Sequence, residues 1–211
     1  MTSDPHGKQA IVPIGPPLAD AAGVLILLHG RGGTAEDILG LGEAIAPEQW
    51  AMLAPQASGN SWYPFSFLAP REQNEPYLTS ALGRVQAAVD MALAAGIAAD
   101  KIAIAGFSQG ACLATEFVGR NPRRYAALVA LTGGLMGPPE VPIKLTGNLA
   151  GTPVLLSSGD PDPHVPWARV QQSADLLQAM GGRVTIRRYP GKPHSVTGEE
   201  LRSARDVLAV A

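Results

Sequence analysis

The segment Lys101-Ile102-Ala103-Ile104-Ala105-Gly106-Phe107-Ser108-Gln109-Gly110 decides the fold of this chain. Its first five residues form a short run too brief for a helix and apolar enough for a buried strand, while the residues from about Ser108 to Arg120 read as a helix. The junction matches Gly-x-Ser-x-Gly, the turn that lifts a serine hydroxyl above a sheet where strand passes into helix. Glycine is required at 106 and 110 because side chains there would collide with the neighbouring strand or helix. A plain turn with Ser108 capping the helix explains the serine but not the strand and glycines around it.

Working outward from this junction, short strand signals alternate with longer helical ones. Strands are predicted at Val24–Leu28, Ala51–Ala54, Ala126–Leu131, Val154–Ser157 and Val184–Tyr189. Helices are predicted from Thr34, a capping residue with Asp37 three positions on, to Pro47, then over Leu78–Leu93, Trp167–Met180 and from Glu199 to the end. This alternation specifies an α/β fold, a doubly wound and mostly parallel sheet with helices on both faces. Residues 1–211 are expected to form a single domain, with 1–22 as a leader or edge strand. Two long connections, Pro55–Pro76 and Gly133–Gly151, lack a clear period, and loops of this length in a compact domain are usually functional.

The chain has 211 residues, 46% of them apolar and 16% charged, with a formal charge of −2. The balance lacks the basic field that collects nucleic acids or anionic membranes, so a small-molecule partner is expected and neither of those is. No apolar run approaches the ~20 residues of a membrane helix, so no stable membrane insertion is expected. The first twenty residues do not read as a secretory signal, and the one cysteine, Cys112, cannot pair within the chain. Both point to a cytoplasmic protein. Cys112 lies one helical turn past Ser108 and is expected to pack inward rather than to react.

A serine hydroxyl is a weak nucleophile at neutral pH and needs a histidine base oriented by a carboxylate, in the chain order Ser, Asp, His for this fold. His194 follows the strand Val184–Tyr189 and is the candidate base, since sites of open α/β sheets gather at the carboxyl ends of strands. Asp160 and Asp162 both follow Val154–Ser157, and position leaves either able to orient it. His6 lies in a Pro/Gly-rich leader, His164 is too near Asp162 to sit opposite it easily, and His29 reads as support beneath the loop that follows it. That loop, Gly30-Arg31-Gly32-Gly33, is candidate donor of one backbone N–H to a developing oxyanion, at Arg31, with the second from Gln109. Read instead as Gly-x-Gly-x-x-Ala, it suggests a dinucleotide site, but no acidic residue ends the next strand, and no phosphate loop occurs elsewhere. No cofactor or metal is therefore expected. Trp62, Tyr63, Phe65 and Phe67 fall within six positions and are candidates for the wall of a substrate pocket, or else a cluster that pins the loop.

These motifs together resemble the phospholipase/carboxylesterase family of α/β-hydrolases, which includes the acyl-protein thioesterases. The resemblance runs from about Val24 to the C-terminus and rests on LLHGRGG (27–33), APQ (54–56), GFSQGA (106–111), GDPDPHVP (159–166) and YPGKPH (189–194). It implies that Ser108 and His194 are nucleophile and base, that Asp162 rather than Asp160 is the acid, and that the substrate is a carboxylic ester. A thioesterase, lysophospholipase or lactonase activity on the same residues is the alternative within enzymes. A binding protein on a hydrolase scaffold is the alternative outside them, and a homodimer is compatible with the resemblance. Two positions depart from the family pattern. Arg31 stands where the thioesterase branch carries an apolar residue, which suggests a meeting with a substrate carboxylate, and Gly191-Lys192-Pro193 precedes His194 where Gly-x-Gly is usual.

Overall fold

A computed structural model describes residues 3–210; the first two residues of the leader and residue 211, where the closing helix is expected from sequence to end, lie outside the described residues. Seven strands form one sheet in the order β1-β3-β2-β4-β5-β6-β7. They are β1 (Ile11–Ile14), β2 (Gly23–Leu28), β3 (Trp50–Pro55), β4 (Ile102–Phe107), β5 (Ala127–Leu131), β6 (Pro153–Asp160) and β7 (Arg183–Pro190). All neighbours pair in parallel except β1, which runs antiparallel along β3. The leader thus supplies an edge strand. Five longer helices complete the fold: α1 (Ala35–Ile45), α2 (Tyr77–Ala94), α3 (Gln109–Arg120), α4 (Trp167–Ala179) and α5 (Gly198–Ala209).

Side chains alternate across β2 and so feed two cores. Val24, Ile26 and Leu28 pack with the apolar faces of α2, α3 and α4, whereas Leu25 and Leu27 pack with α1 and α5. A strand covered on both sides reads as a continuous apolar run. All five of these residues are fully buried, and each such side chain contributes about 1.5–3 kcal/mol. The strands expected from sequence are correct in place with shifted bounds: β3 and β6 extend through Pro55 and Asp160, whereas β5 begins one residue later than expected. Those added residues are less uniformly apolar because they lead into the loops at the carboxyl edge. Thr34 caps α1 reciprocally with Asp37, and Thr197 does the same for α5 with Glu200.

The site depends on three parallel strands, β4, β6 and β7, whose carboxyl ends point the same way. Each is followed by one of the loops or turns that carry Ser108, Asp162 and His194. The long connection after β3 is held by short helical turns at Ser58–Asn60 and Arg71–Asn74 rather than by longer elements.

Candidate active site

Ser108 sits between β4 and α3 with φ 54° and ψ −118°, outside the regions a non-glycine residue ordinarily occupies. The neighbouring strands enforce that conformation. Its N–H donates to the Leu131 carbonyl at 3.0 Å. A Cβ at Gly110 would lie 2.0 Å from the Leu28 carbonyl oxygen, and one at Gly106 2.5 Å from the backbone of Gly110. Only glycine lets the turn close this tightly.

The Ser108 hydroxyl lies 2.8 Å from Nε2 of His194, and Nδ1 of the same ring lies 2.8 Å from Oδ2 of Asp162. The other carboxylate oxygen of Asp162 accepts the N–H groups of His164 and Val165, each at 2.9 Å. Burial pushes the Asp162 carboxyl up, but the bonds from His194, His164 and Val165 outweigh it and hold the group below its ordinary value. An ionised carboxylate only accepts, so the His194 proton stands on Nδ1, and Nε2 offers its lone pair to the serine O–H. Asp160 instead forms an ion pair with Arg188 at the surface. The two acids left open by position thus face different partners.

His194 is framed by the rings of Phe107 and His164, with centroids 5.2 and 4.9 Å away. Its loop is braced by Lys192, an unanticipated partner. The buried Lys192 ammonium reaches both oxygens of the buried Glu200 at 3.0 Å, the Ser195 carbonyl at 2.6 Å and the Thr132 hydroxyl at 3.3 Å. Glu200 also accepts from Ser157 and from the N–H and hydroxyl of Thr197. Sequence spacing carries no signal for such a pair, because burial of a lysine depends on a partner from another element.

Gln109 opens α3, where first-turn N–H groups have no acceptor within the helix. Its side chain joins the aromatic loop, taking the Trp62 N–H at 2.8 Å and donating to the Tyr63 carbonyl at 2.8 Å. Arg31 follows Gly30, whose backbone passes beside the serine: a Cβ at Gly30 would lie 3.6 Å from the Ser108 Cβ. The Arg31 guanidinium donates to the Ser61 hydroxyl, the Pro64 carbonyl and the Phe65 carbonyl at 3.0, 3.0 and 2.9 Å. Three of its five N–H groups thus bind this chain's own loop.

A cavity of about 740 Å³ opens over Ser108 and His194, walled by Arg31, Tyr63, Phe65 and Phe67 and floored in part by Cys112. Trp62 is not among the lining residues, contrary to its sequence assignment as pocket wall. It is fully buried, stacks on His29 with centroids 4.9 Å apart and donates its indole N–H to the His29 carbonyl. An aromatic cluster carries no period from which to tell inward from outward. Burial pushes the Cys112 thiol up to about 12, which keeps it protonated.

The remaining ring nitrogens of the buried histidines serve the scaffold. His29 points Nδ1 at the Gly30 carbonyl and takes the Ala57 N–H on Nε2. His6, in the Pro/Gly-rich leader, is fully buried, taking the Ser58 N–H on Nδ1 and facing the Trp62 carbonyl with Nε2. Among the described residues no three His, Cys, Asp or Glu side chains are grouped as a metal would need, and no helix is long and apolar enough to cross a membrane.

Residues 10–211 match the family model for phospholipase/carboxylesterase. Acyl-protein thioesterase 1 of Neurospora crassa is 28% identical over 92% of this chain and 88% of its own length. A probable carboxylesterase of Arabidopsis thaliana, SOBER1-like, is 30% identical over 67% of this chain, a match spanning only 55% of the plant protein. The crystal structure of a phospholipase/carboxylesterase from Dyadobacter fermentans is 45% identical and superposes with a TM-score of 0.92 over 96% of this chain and 97% of that one. A likeness that runs from the antiparallel edge strand to the closing helix, in both sequence and backbone, places this chain in the phospholipase/carboxylesterase family of α/β-hydrolases.

Proposed function

We propose that the protein is a serine carboxylesterase acting on short- to medium-chain carboxylic esters through an acyl-enzyme. The observation that carries this reading is the unbroken relay from Asp162 through His194 to the Ser108 hydroxyl, with 2.8 Å at each link. The serine oxygen attacks the ester carbonyl while Nε2 of His194 takes its proton, and the ionised Asp162 stabilises the resulting imidazolium. The N–H groups of Gln109 and Arg31 receive the negative charge that develops on the carbonyl oxygen. Collapse expels the alcohol, which leaves with the proton from Nε2. Water, deprotonated by the same nitrogen, then attacks the acyl-serine and releases the acid and the free hydroxyl. Ester and water thus give acid and alcohol, with the protein unchanged.

Tyr63, Phe65 and Phe67 supply the apolar wall for the substrate. The remaining wall is interrupted by Arg31, Ser66, Gln109 and two histidines rather than forming a continuous apolar tunnel, which favours a modest acyl chain. The likeness to acyl-protein thioesterases supports a second reading, thioester cleavage on the same residues. A p-nitrophenyl ester series from acetyl to palmitoyl, run beside a thioester and the Ser108→Ala variant, separates them. Turnover that peaks at short chains and disappears with Ser108 fits the carboxylesterase, and a thioester or long-chain optimum fits the alternative. No turnover dependent on Ser108 would overturn both.

A further inference from the structure

One guanidinium next to this site has no use in the scheme above. Arg169, in the first turn of α4, is 3% exposed, yet among the described residues it makes one side-chain bond, from Nη1 to the Leu135 carbonyl at 3.2 Å. Its Nη2 is buried without an acceptor. No carboxylate pairs with it among the described residues, and exposed Glu140 acts on it only through longer-range attraction. A buried charge left this incomplete costs stability, and native proteins retain such a group where something else completes it.

The surroundings identify what would complete it. Arg169 lines a hollow of about 340 Å³ whose walls include Leu68 and Pro166, and both of these residues also line the cavity over Ser108. The N-terminus of α4 opens at Pro166 with no side-chain cap, so its partial positive charge adds to that of the arginine. Among the described residues, the reaction cavity itself is lined by Arg31 and by no aspartate or glutamate. A negative group is the complement of this field, and a planar carboxylate matches a guanidinium N–H pair. Because the hollow shares the walls at Leu68 and Pro166 with the cavity over Ser108, a group held by Arg169 is reached from that cavity, and the carboxylate is assigned to the substrate.

We propose that Arg169 binds an anionic group on the substrate, and that the esters cleaved at Ser108 are half-esters of short dicarboxylic acids. This rests on the esterase reading for its kinetic consequence but not for the binding itself. Monoethyl adipate and ethyl hexanoate share acyl length and alcohol and differ in the distal carboxylate. Their kcat/KM ratio, followed by pH-stat, is expected to favour the half-ester by roughly tenfold or more and to fall by a similar factor in Arg169→Met, with partial recovery in Arg169→Lys. A ratio unchanged by Arg169→Met overturns the proposal. Adipate alone provides a readout independent of turnover: it is expected to raise the melting temperature of the native protein and not that of Arg169→Met. Loss of the unpaired charge should itself leave Arg169→Met no less stable than the parent, whereas a purely structural arginine would make it less stable. An equal shift from inorganic phosphate, or none from adipate, also counts against the proposal. Absence of turnover on both esters, with the adipate shift intact, would overturn the esterase reading alone.

Discussion

Asp160 and Asp162 differ in what their side chains face. Asp160 ends β6 and Asp162 follows it, but Asp162 faces His194 and two backbone N–H groups while Asp160 is ion-paired directly with Arg188 at the surface. Asp162→Asn is therefore expected to lower kcat by up to ~10⁴, because an amide in that place favours the wrong imidazole tautomer. Asp160→Asn should leave kcat close to its original value and change stability by about 0–1 kcal/mol, the worth of an exposed pair. Steady-state kinetics and thermal melting of the two variants check this, and a larger kcat loss at Asp160 would reverse the assignment of the acid. Ser108 was legible from sequence because its strained turn depends on glycines two residues to either side. The choice of acid was open by position and needed the family resemblance. Trp62 was misread because its environment is set by residues far away in the chain.

The elbow and the base loop show how whole elements constrain these residues. At Gly110 an added methyl meets the Leu28 carbonyl of β2, a rigid strand that cannot yield. Gly110→Ala should cost about 3 kcal/mol and reduce activity at the same time, read by denaturant unfolding and ester turnover. The base loop is tied to α5 through Lys192 and Glu200. Lys192→Met leaves Glu200 charged, buried and unpaired, with an expected loss of about 3–5 kcal/mol. The double variant Lys192→Met, Glu200→Leu removes both charges and should recover most of that stability, which a denaturation series would show. The strands were legible because a parallel sheet covered on both faces leaves short apolar runs between amphipathic helices. The brace was not, since a Lys followed eight residues later by a Glu has no signature of burial.

Over the whole molecule, the N-terminal segment and the long loop after β3 lock together through buried imidazoles. Burial lowers the pKa of His6 from its ordinary 6.5, as it does for His29, so each takes up a proton at lower pH in the folded protein than in the unfolded chain. The stability this lends is complete above 6.5 and is lost as pH falls from there through the lowered folded values. Melting temperature should decline between pH 7 and pH 5, and the decline should be shallower in His6→Gln. An identical pH profile for that variant would show that His6 does not contribute. The fold class and the identity of the strands that carry the site followed from the sequence pattern, whereas the wall of the cavity and the unpaired Arg169 required the tertiary arrangement. The central claim is that Ser108, activated by His194, attacks an acyl carbonyl. Its most direct test is covalent labelling with a fluorophosphonate followed by peptide mass mapping. The account predicts one stoichiometric adduct on Ser108, absent in Ser108→Ala and much slower in His194→Gln; an adduct on another residue, or ester turnover undiminished in Ser108→Ala, would contradict it.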